Sequence, residues 1–187
     1  MGITIHYKGK LNSPDLVDCF LVEVEDIAKS MEWKYTIFSE SKEDTTPVKG
    51  LFIQPHSKSE FLQFMIDRNG NLRNAIMLEH FEGDHENTYL NHIKTQFTPT
   101  EIHVAIIKLL KYLKQKFANN LEVWDEGEYW QTGDAQLLQE RFDFLNKKME
   151  EFEKLLDSIP VNPNDTTESI SDKIEKVFRK LNPNREK

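Results

Sequence analysis

The chain has 187 residues, and its 32 acidic side chains outnumber 24 basic ones, giving a formal net charge of -8. This length suits one domain of ordinary size, or one domain with a small appendage. The acidic balance counts against a broad nucleic-acid-binding face, because such a face needs an extended positive potential. A lone cysteine excludes an internal disulfide and any zinc site that is built from several cysteines.

Targeting and membrane signals are not found in the sequence. The N-terminal residues carry no basic segment followed by a long apolar run, so no signal peptide is predicted. The most apolar helical stretch, 104–113, is interrupted by Lys108 and Lys111 and is too short to span a bilayer. The sequence therefore predicts a cytoplasmic protein that does not bind a membrane. It contains no nucleotide- or dinucleotide-binding motif, so no cofactor is predicted.

The chain begins with the pattern of a strand, a helix and a second strand. Residues 3–10 alternate between apolar and polar side chains, which predicts a strand with one buried face. Ser13 and Pro14 then predict a helix start with Ser13 as N-cap, and the apolar stripe that follows extends nearly to Glu32. Alternation resumes over 33–38, which predicts the second strand.

The middle of the chain predicts more strands. A third strand is expected over 50–54. The dipeptide of Asn69 and Gly70 lies between the apolar segments 61–67 and 72–79. Asn-Gly between two such segments is a strong signal for a tight hairpin in which both turn residues adopt positive φ. The two segments are therefore predicted to be paired strands.

A sixth strand is predicted over 89–97 and leads into a helix. Thr98 and Glu101 form the pattern of a capping box, with the Thr98 side chain as N-cap. The helix extends to about Phe117, and apolar residues cover most of its circumference near the start, so it is expected to be buried on nearly all sides. A short strand follows over 121–124.

The last part of the chain is predicted to be helical. An acidic and aromatic loop over 125–134 ends at Asp134, which is expected to cap a long helix reaching about Ser158. A linker with two prolines occupies 159–165, and a narrow apolar stripe then predicts a short helix that ends near Leu181.

This order of elements, β-α-β5-α-β-α, indicates the fold class. Consecutive strands joined by short turns favour antiparallel pairing. The sequence thus predicts an α+β fold, a mostly antiparallel sheet of about six to seven strands covered by three main helices, plus a short C-terminal helix. Residues 1–159 are predicted to form a single α+β domain, and residues 160–187 a linker and a C-terminal helical appendage.

The first candidate site lies where the sixth strand meets the following helix. His92, Lys94 and Gln96 share one face of that strand, and His103 lies on the first turns of the helix. The N-terminus of a helix attracts anions, so these side chains are candidates for binding a negatively charged group. The alternative is an ordinary polar strand face, with His103 as a satisfied core residue.

The second candidate site is the acidic and aromatic loop. Its residues suit a cation, a sugar or a basic protein partner, and paired carboxylates also serve acid–base chemistry where one pKa is raised. The alternative is that the tryptophans anchor the loop to the core while the acids face solvent. The candidate residues are Trp124, Asp125, Glu126, Glu128, Tyr129 and Trp130.

Catalytic and metal-binding patterns are not found. His80 and His85 lie on one loop, but no third ligand at a known spacing accompanies them, so no metal site is predicted. The sequence also has no nucleophile elbow, and so no catalytic residue is assigned.

These observations favour a non-enzymatic, acidic protein-interaction or binding domain. A basic protein partner is the sharpest form of this hypothesis, because complementary charge speeds association. An inhibitor of the kind that bacteria make against cationic toxins has such a charge, and so do many adaptors. The alternative is a small-ligand-binding or hydrolase-like enzyme with a pocket between sheet and helix. A partner-binding protein is expected to expose Trp124, Tyr129 and Trp130, and an enzyme to bury a carboxylate beside His92 or His103.

Overall fold

The computed structural model describes residues 2–39, 48–81, 85–159 and 166–181. Within these ranges the chain has seven strands, all paired antiparallel, and six α-helices. This confirms the predicted α+β class. The chain divides into two compact units, Met1–Phe142 and Asp143–Lys187. The division falls inside a long helix, and the sequence-based domain boundary after residue 159 stays a prediction.

The elements have the following bounds. The strands are β1 (Thr4–Lys8), β2 (Lys34–Phe38), β3 (Val48–Gln54), β4 (Leu62–Asp67), β5 (Leu72–Arg73), β6 (Asn91–Lys94) and β7 (Glu122–Asp125). The helices are α1 (Val17–Ser30), α2 (Ala75–His80), α3 (Thr100–Phe117), α4 (Tyr129–Thr132), α5 (Ala135–Asp157) and α6 (Thr167–Leu181).

The strands of the first unit form two sheets. The order is β6-β1-β7 in the three-stranded sheet and β2-β3-β4-β5 in the four-stranded sheet. Beyond β1 the chain continues alongside β5, where Leu11 N–H donates to the Gly70 carbonyl at 2.8 Å and Leu72 N–H donates to the Gly9 carbonyl at 3.0 Å. The single sheet predicted from the sequence is therefore wrong, because alternation predicts strands but not which of them pair.

One hydrophobic core joins both sheets and the helices of this unit. Phe20 of α1 contacts Phe64 of β4 and Phe117 of α3, with edge-to-face ring distances of 5.6 and 5.5 Å. Ile5 and Tyr7 of β1 are fully buried in the same core. The alternating burial of β1 confirms the strand pattern at the start of the chain.

The predicted hairpin forms, but its turn differs. Gly70 has a φ of 84°, whereas Asn69 does not have positive φ. The Gly70 N–H donates to the Asp67 carbonyl at 2.9 Å, and Asp67 N–H donates to the Asn71 carbonyl at 3.0 Å. The loop therefore has three residues and only glycine in the left-handed region, an arrangement that is also common in hairpins.

The predicted strand over 72–79 is wrong beyond Arg73. Residues from Ala75 onward form α2, because the side chain of Asn74 accepts the Met77 N–H at 3.2 Å and caps a helix. The strand predicted over 89–97 is shorter than expected, since Glu86–Tyr89 form a 3-10 turn and β6 spans only four residues.

The start of α3 also differs from the prediction. The N-cap is Pro99, and the Thr98 hydroxyl instead donates to the Thr95 carbonyl at 2.8 Å and closes the preceding turn. Glu101 consequently does not form a capping box and is exposed. The predicted end at Phe117 is confirmed, as is the N-cap Asp134, whose Oδ1 accepts the N–H groups of Gln136 and Leu137.

The second unit contains the C-terminal part of α5 and the helix α6. This confirms the predicted C-terminal helix, which ends at Leu181. The linker predicted over 159–165 lies, apart from Ile159, outside the described residues.

Candidate functional site

The ten residues predicted as candidate sites fall in three places of the first unit. Three lie on the outer face of the three-stranded sheet (His92, Lys94 and Trp124), three are buried (Gln96, His103 and Asp125), and four follow β7 (Glu126, Glu128, Tyr129 and Trp130). Asp125 was predicted in the loop, but it is the last residue of β7.

His103 of α3 and Asp125 of β7 form a buried pair. Nε2 of His103 lies 3.0 Å from Oδ1 of Asp125, and both side chains are 0% exposed. The geometry at Nε2 does not meet that of a well-directed hydrogen bond, so the contact is a close approach of the two groups. On the other side of the ring, Nδ1 lies 2.7 Å from the hydroxyl oxygen of Thr95. The imidazole is thus held between a carboxylate and a hydroxyl.

The Asp125 carboxylate also fixes the turn that follows β7. Its two oxygens accept the backbone N–H groups of Gly127 at 2.7 Å and Trp130 at 2.8 Å. Burial raises the pKa of Asp125, but the adjacent His103 ring and these two N–H donors lower that pKa below its ordinary value. Asp125 is therefore ionised at neutral pH, and its charge is used to hold the turn.

Gly127 packs closely over this pair. A Cβ atom at this position would lie 3.1 Å from both Asp125 Oδ1 and His103 Nε2, and 2.6 Å from Cδ1 of Leu138. Sequence reasoning missed Thr95 and Gly127, because nothing in the local pattern of either residue reports a contact with His103 or Asp125.

The exposed carboxylates after β7 are engaged within the same unit. Glu126 accepts the backbone N–H of Thr4 at 2.9 Å, and Glu128 lies 2.5 Å from the guanidinium of Arg141. The predicted acidic loop contains the short helix α4, and its Tyr129 and Trp130 pack partly against the core. Trp124 is 45% exposed and lies on the outer face of the sheet, opposite His6.

That outer face carries a row of rings across three strands. His6 of β1 is opposite His92 of β6 and Trp124 of β7, and the two imidazole centroids are 6.0 Å apart. The Lys8 ammonium lies 5.1 Å from the Trp124 ring, and Glu60 lies 3.8 Å from His92 Nε2. Cations and carboxylates are interleaved here, so the face has no single sign of charge.

A groove of about 730 Å³ lies between the end of α1 and one face of α3. Its rim includes Glu101, Lys108, Tyr112 and Tyr129. Its floor is apolar and consists of Ile27, Met31, Trp33, Val104, Ala105 and Leu109. A volume of this size is typical of binding sites in proteins.

A hydrogen-bonded cluster closes one end of the groove. The Tyr112 hydroxyl of α3 donates to the Glu23 carboxylate of α1, and the Lys116 ammonium lies 2.9 Å from the same carboxylate. Hydrogen bonds from Tyr112 and Lys116 lower the pKa of Glu23. The spacing of the two helices is therefore set by polar contacts as well as by the core.

The groove explains why α3 has apolar residues on more than one side. His103, Ile106, Leu110 and Leu113 face the core, whereas the half-buried Val104 and Ala105 line the groove. The prediction that α3 is buried on nearly all sides is wrong, since Glu101, Lys108 and Tyr112 are exposed. In the sequence, the only sign of the groove-lining side of α3 was that apolar residues cover more of the helix circumference than a core-facing stripe requires.

The described residues contain no group of three or more His, Cys, Asp or Glu side chains that would hold a metal ion. None of the helices in the described ranges has the length and apolar character needed to cross a membrane. Comparisons with models of protein families, with curated proteins and with solved structures give no match.

Proposed function

We propose that this protein is a non-enzymatic interaction domain that binds a segment of a partner protein in the groove between α1 and α3. The observation that carries the proposal is the apolar floor of the groove, open to solvent beside an exposed rim. Met31 in the floor and Tyr112 on the rim are 45% and 38% exposed, and exposed apolar side chains that line one groove suit a binding site.

The shape of the groove favours a partner segment over a small ligand. A small-ligand site buries about 70–90% of its ligand, which requires walls on most sides. This groove is lined mainly by α1 and α3, with Trp33, Tyr129 and Ala135 from other segments, and its α3 wall extends from Thr100 to Tyr112, about 18 Å at the rise of an α-helix. A long, shallow site of this form suits an elongated segment.

The burial of His103 and Asp125 supports a non-enzymatic function. A carboxylate beside an imidazole is the arrangement expected of a hydrolase-like site, and the two groups are 3.0 Å apart. Neither side chain has solvent exposure, and the carboxylate already accepts two backbone N–H groups. A substrate would have to displace the turn at Gly127 to reach the pair.

The charge of the protein favours a basic partner. A formal net charge of -8 speeds the association of cationic proteins, while the groove supplies the apolar contacts that hold them. An acidic adaptor or an inhibitor of a basic protein, working in the cytoplasm, is the class of protein that this combination fits.

Site-specific photo-crosslinking in the cells that make the protein tests the proposal. A photoreactive residue replaces Met31 at the groove or, as a matched control, Ile76 on α2, which are 45% and 54% exposed. The partner identified from the Met31 adduct is then purified and its Kd is measured with Ala105→Glu, on the groove floor, and with Ile76→Glu.

We expect an adduct at Met31 alone, and at least a tenfold weaker Kd for Ala105→Glu with no change for Ile76→Glu. A purified partner that binds Ala105→Glu as tightly as the unmodified protein would contradict the proposal. The alternative of a small-ligand or hydrolase-like site would be favoured if a low-molecular-weight compound stabilised the protein and lost this effect in Ala105→Glu.

A further inference from the structure

The walls of the groove restrict the conformation of whatever binds there. On α3 the lining residues from Val104 to Tyr112 lie beyond the first turn, so their backbone groups are engaged in helical hydrogen bonds and they offer no strand edge for pairing. An extended segment would therefore bury its own N–H and C=O groups against the apolar floor without partners. A helix satisfies those groups internally and presents only side chains to the groove.

Two charged residues on the rim have no ion-pair partner. Glu101 and Lys108 line the groove seven residues apart, about 10 Å along the axis of α3. Both are exposed, and neither forms an ion pair with any residue in the described part of the chain. Neighbouring charges do pair, as Glu23 does with Lys116 and Glu128 with Arg141.

The order of Glu101 and Lys108 along α3 determines the direction in which a bound helix is favoured. Stable helices favour acidic residues in the first turn and basic residues in the last turn, because these charges complement the helix dipole. Such a helix places its basic end near Glu101 and its acidic end near Lys108 only if it runs antiparallel to α3. The parallel arrangement would bring like charges together at both ends.

We propose that the groove binds an amphipathic helix antiparallel to α3, with acidic residues of its first turn near Lys108 and basic residues of its last turn near Glu101. This inference rests on the proposed function and adds the conformation, the direction and the charge pattern of the partner segment. The apolar stripe of the helix covers the floor that contains Val104 and Ala105.

Two synthetic peptides test the inference. Both have the same composition, leucine at helical spacing along one face, and a covalent staple on the opposite face that keeps each one helical. One peptide has two Glu in its first turn and two Lys in its last turn, and in the other these positions are exchanged. Fluorescence anisotropy gives the Kd of each peptide for the full-length protein at low and at physiological salt.

We expect the first peptide to bind at least tenfold more tightly than the second, with a smaller ratio at higher salt. The double variant Glu101→Lys/Lys108→Glu is expected to reverse the preference. The matched control Lys58→Glu/Glu79→Lys exchanges two exposed charges outside the groove and is expected to leave it unchanged. A photoreactive group at the N-terminus of the first peptide should label the part of α3 that follows Lys108.

Equal binding of the two peptides, or a preference that survives the charge exchange, would overturn the inference. Failure of both peptides to bind would also overturn it. In either case the proposed function is judged separately, because the partner identified by crosslinking at Met31 would still lose affinity in Ala105→Glu if the groove binds it in another conformation. The proposed function itself would be contradicted if no partner were found whose binding is weakened by Ala105→Glu.

Discussion

The hydroxyl group of Tyr7 exchanges two hydrogen bonds with the backbone of Gln63. It donates to the Gln63 carbonyl oxygen at 2.6 Å and accepts the Gln63 N–H at 3.1 Å. Tyr7 belongs to the three-stranded sheet and Gln63 to the four-stranded sheet, and both residues are buried. The Tyr7 hydroxyl therefore serves as the hydrogen-bond partner of the Gln63 backbone, in the way that a neighbouring strand would, where the two sheets meet.

Tyr7→Phe is expected to lower the free energy of unfolding by about 1–3 kcal/mol, because it leaves a buried N–H and a buried carbonyl without partners. Urea unfolding at neutral pH measures the effect. Tyr35→Phe is the control, since its hydroxyl donates to the carboxylate of Glu25 near the surface at 2.9 Å, and we expect a loss below about 0.5 kcal/mol. Equal losses in the two variants would contradict the assigned role of Tyr7.

The same tyrosine predicts a loss of stability in alkali. Burial raises the pKa of the Tyr7 phenol far above its usual range, whereas the unfolded chain ionises near pH 10. A raised folded-state pKa gives stability that is complete below the unfolded pKa and is lost as the pH rises through the folded one. The stability gap between the unmodified protein and Tyr7→Phe should shrink by about 1.4 kcal/mol between about pH 9 and about pH 11. A gap that does not change with pH would show that Tyr7 ionises freely in the folded protein.

Asp125→Asn tests the buried pair. An asparagine has one acceptor oxygen where the carboxylate has two, so the backbone N–H of Gly127 or of Trp130 loses its partner, and we expect a loss of about 1–3 kcal/mol at pH 7. The lowered pKa of Asp125 means that its contribution is present above the unfolded value near 3.9 and is lost as the pH falls through the folded value. The difference between the two proteins should therefore narrow below about pH 4.

Chemical denaturation over a range of acidic pH measures this difference, with Asp15→Asn as the control at an exposed position. We expect Asp15→Asn to follow the unmodified protein throughout. A difference for Asp125→Asn that stays constant down to about pH 2 would mean that the ionised carboxylate does not stabilise the fold.

Gly50 and Gly133 are required for different reasons, Gly50 because a Cβ atom would clash there and Gly133 because its φ is positive. A Cβ atom at Gly50 would lie 1.9 Å from the carbonyl oxygen of Phe64 in the neighbouring strand, so Gly50→Ala is expected to cost about 3 kcal/mol or more. Gly133 has a φ of 66° and no atom within 4 Å of its would-be Cβ, so Gly133→Ala is expected to cost only about 1 kcal/mol. Thermal unfolding of both variants measures the contrast, and similar costs would refute the close approach at Gly50.

Local patterns in the sequence were enough to predict several elements. Alternation located β1, and Ser13 accepts the Asp15 N–H at 3.3 Å, although it caps a single 3-10 turn, Pro14–Leu16, that precedes α1 and not α1 itself. Asp134 caps α5 as expected. These predictions succeeded because strand alternation and helix capping depend on residues that are close in sequence.

The errors occurred where two local signals competed or where a distant contact decided the outcome. The apolar segment after Gly70 is compatible with a strand and with a helix. The strand β5 has only two residues, Leu72 and the buried Arg73, because Asn74 caps the helix that follows. At Thr98 the capping motif was present, but the hydroxyl bonds the Thr95 carbonyl instead.

The sequence by itself determined the α+β class, the antiparallel strands and an acidic chain with an unusually wide apolar surface on α3. Only the tertiary structure decided that His103 meets Asp125, that Tyr7 bridges the sheets, and that Val104 and Ala105 line an open groove. The physical reason is that secondary structure follows the periodicity of neighbouring residues, whereas these contacts join residues separated by 22 to more than 50 positions. Such contacts depend on how the sheets and helices pack, and no local pattern encodes that packing.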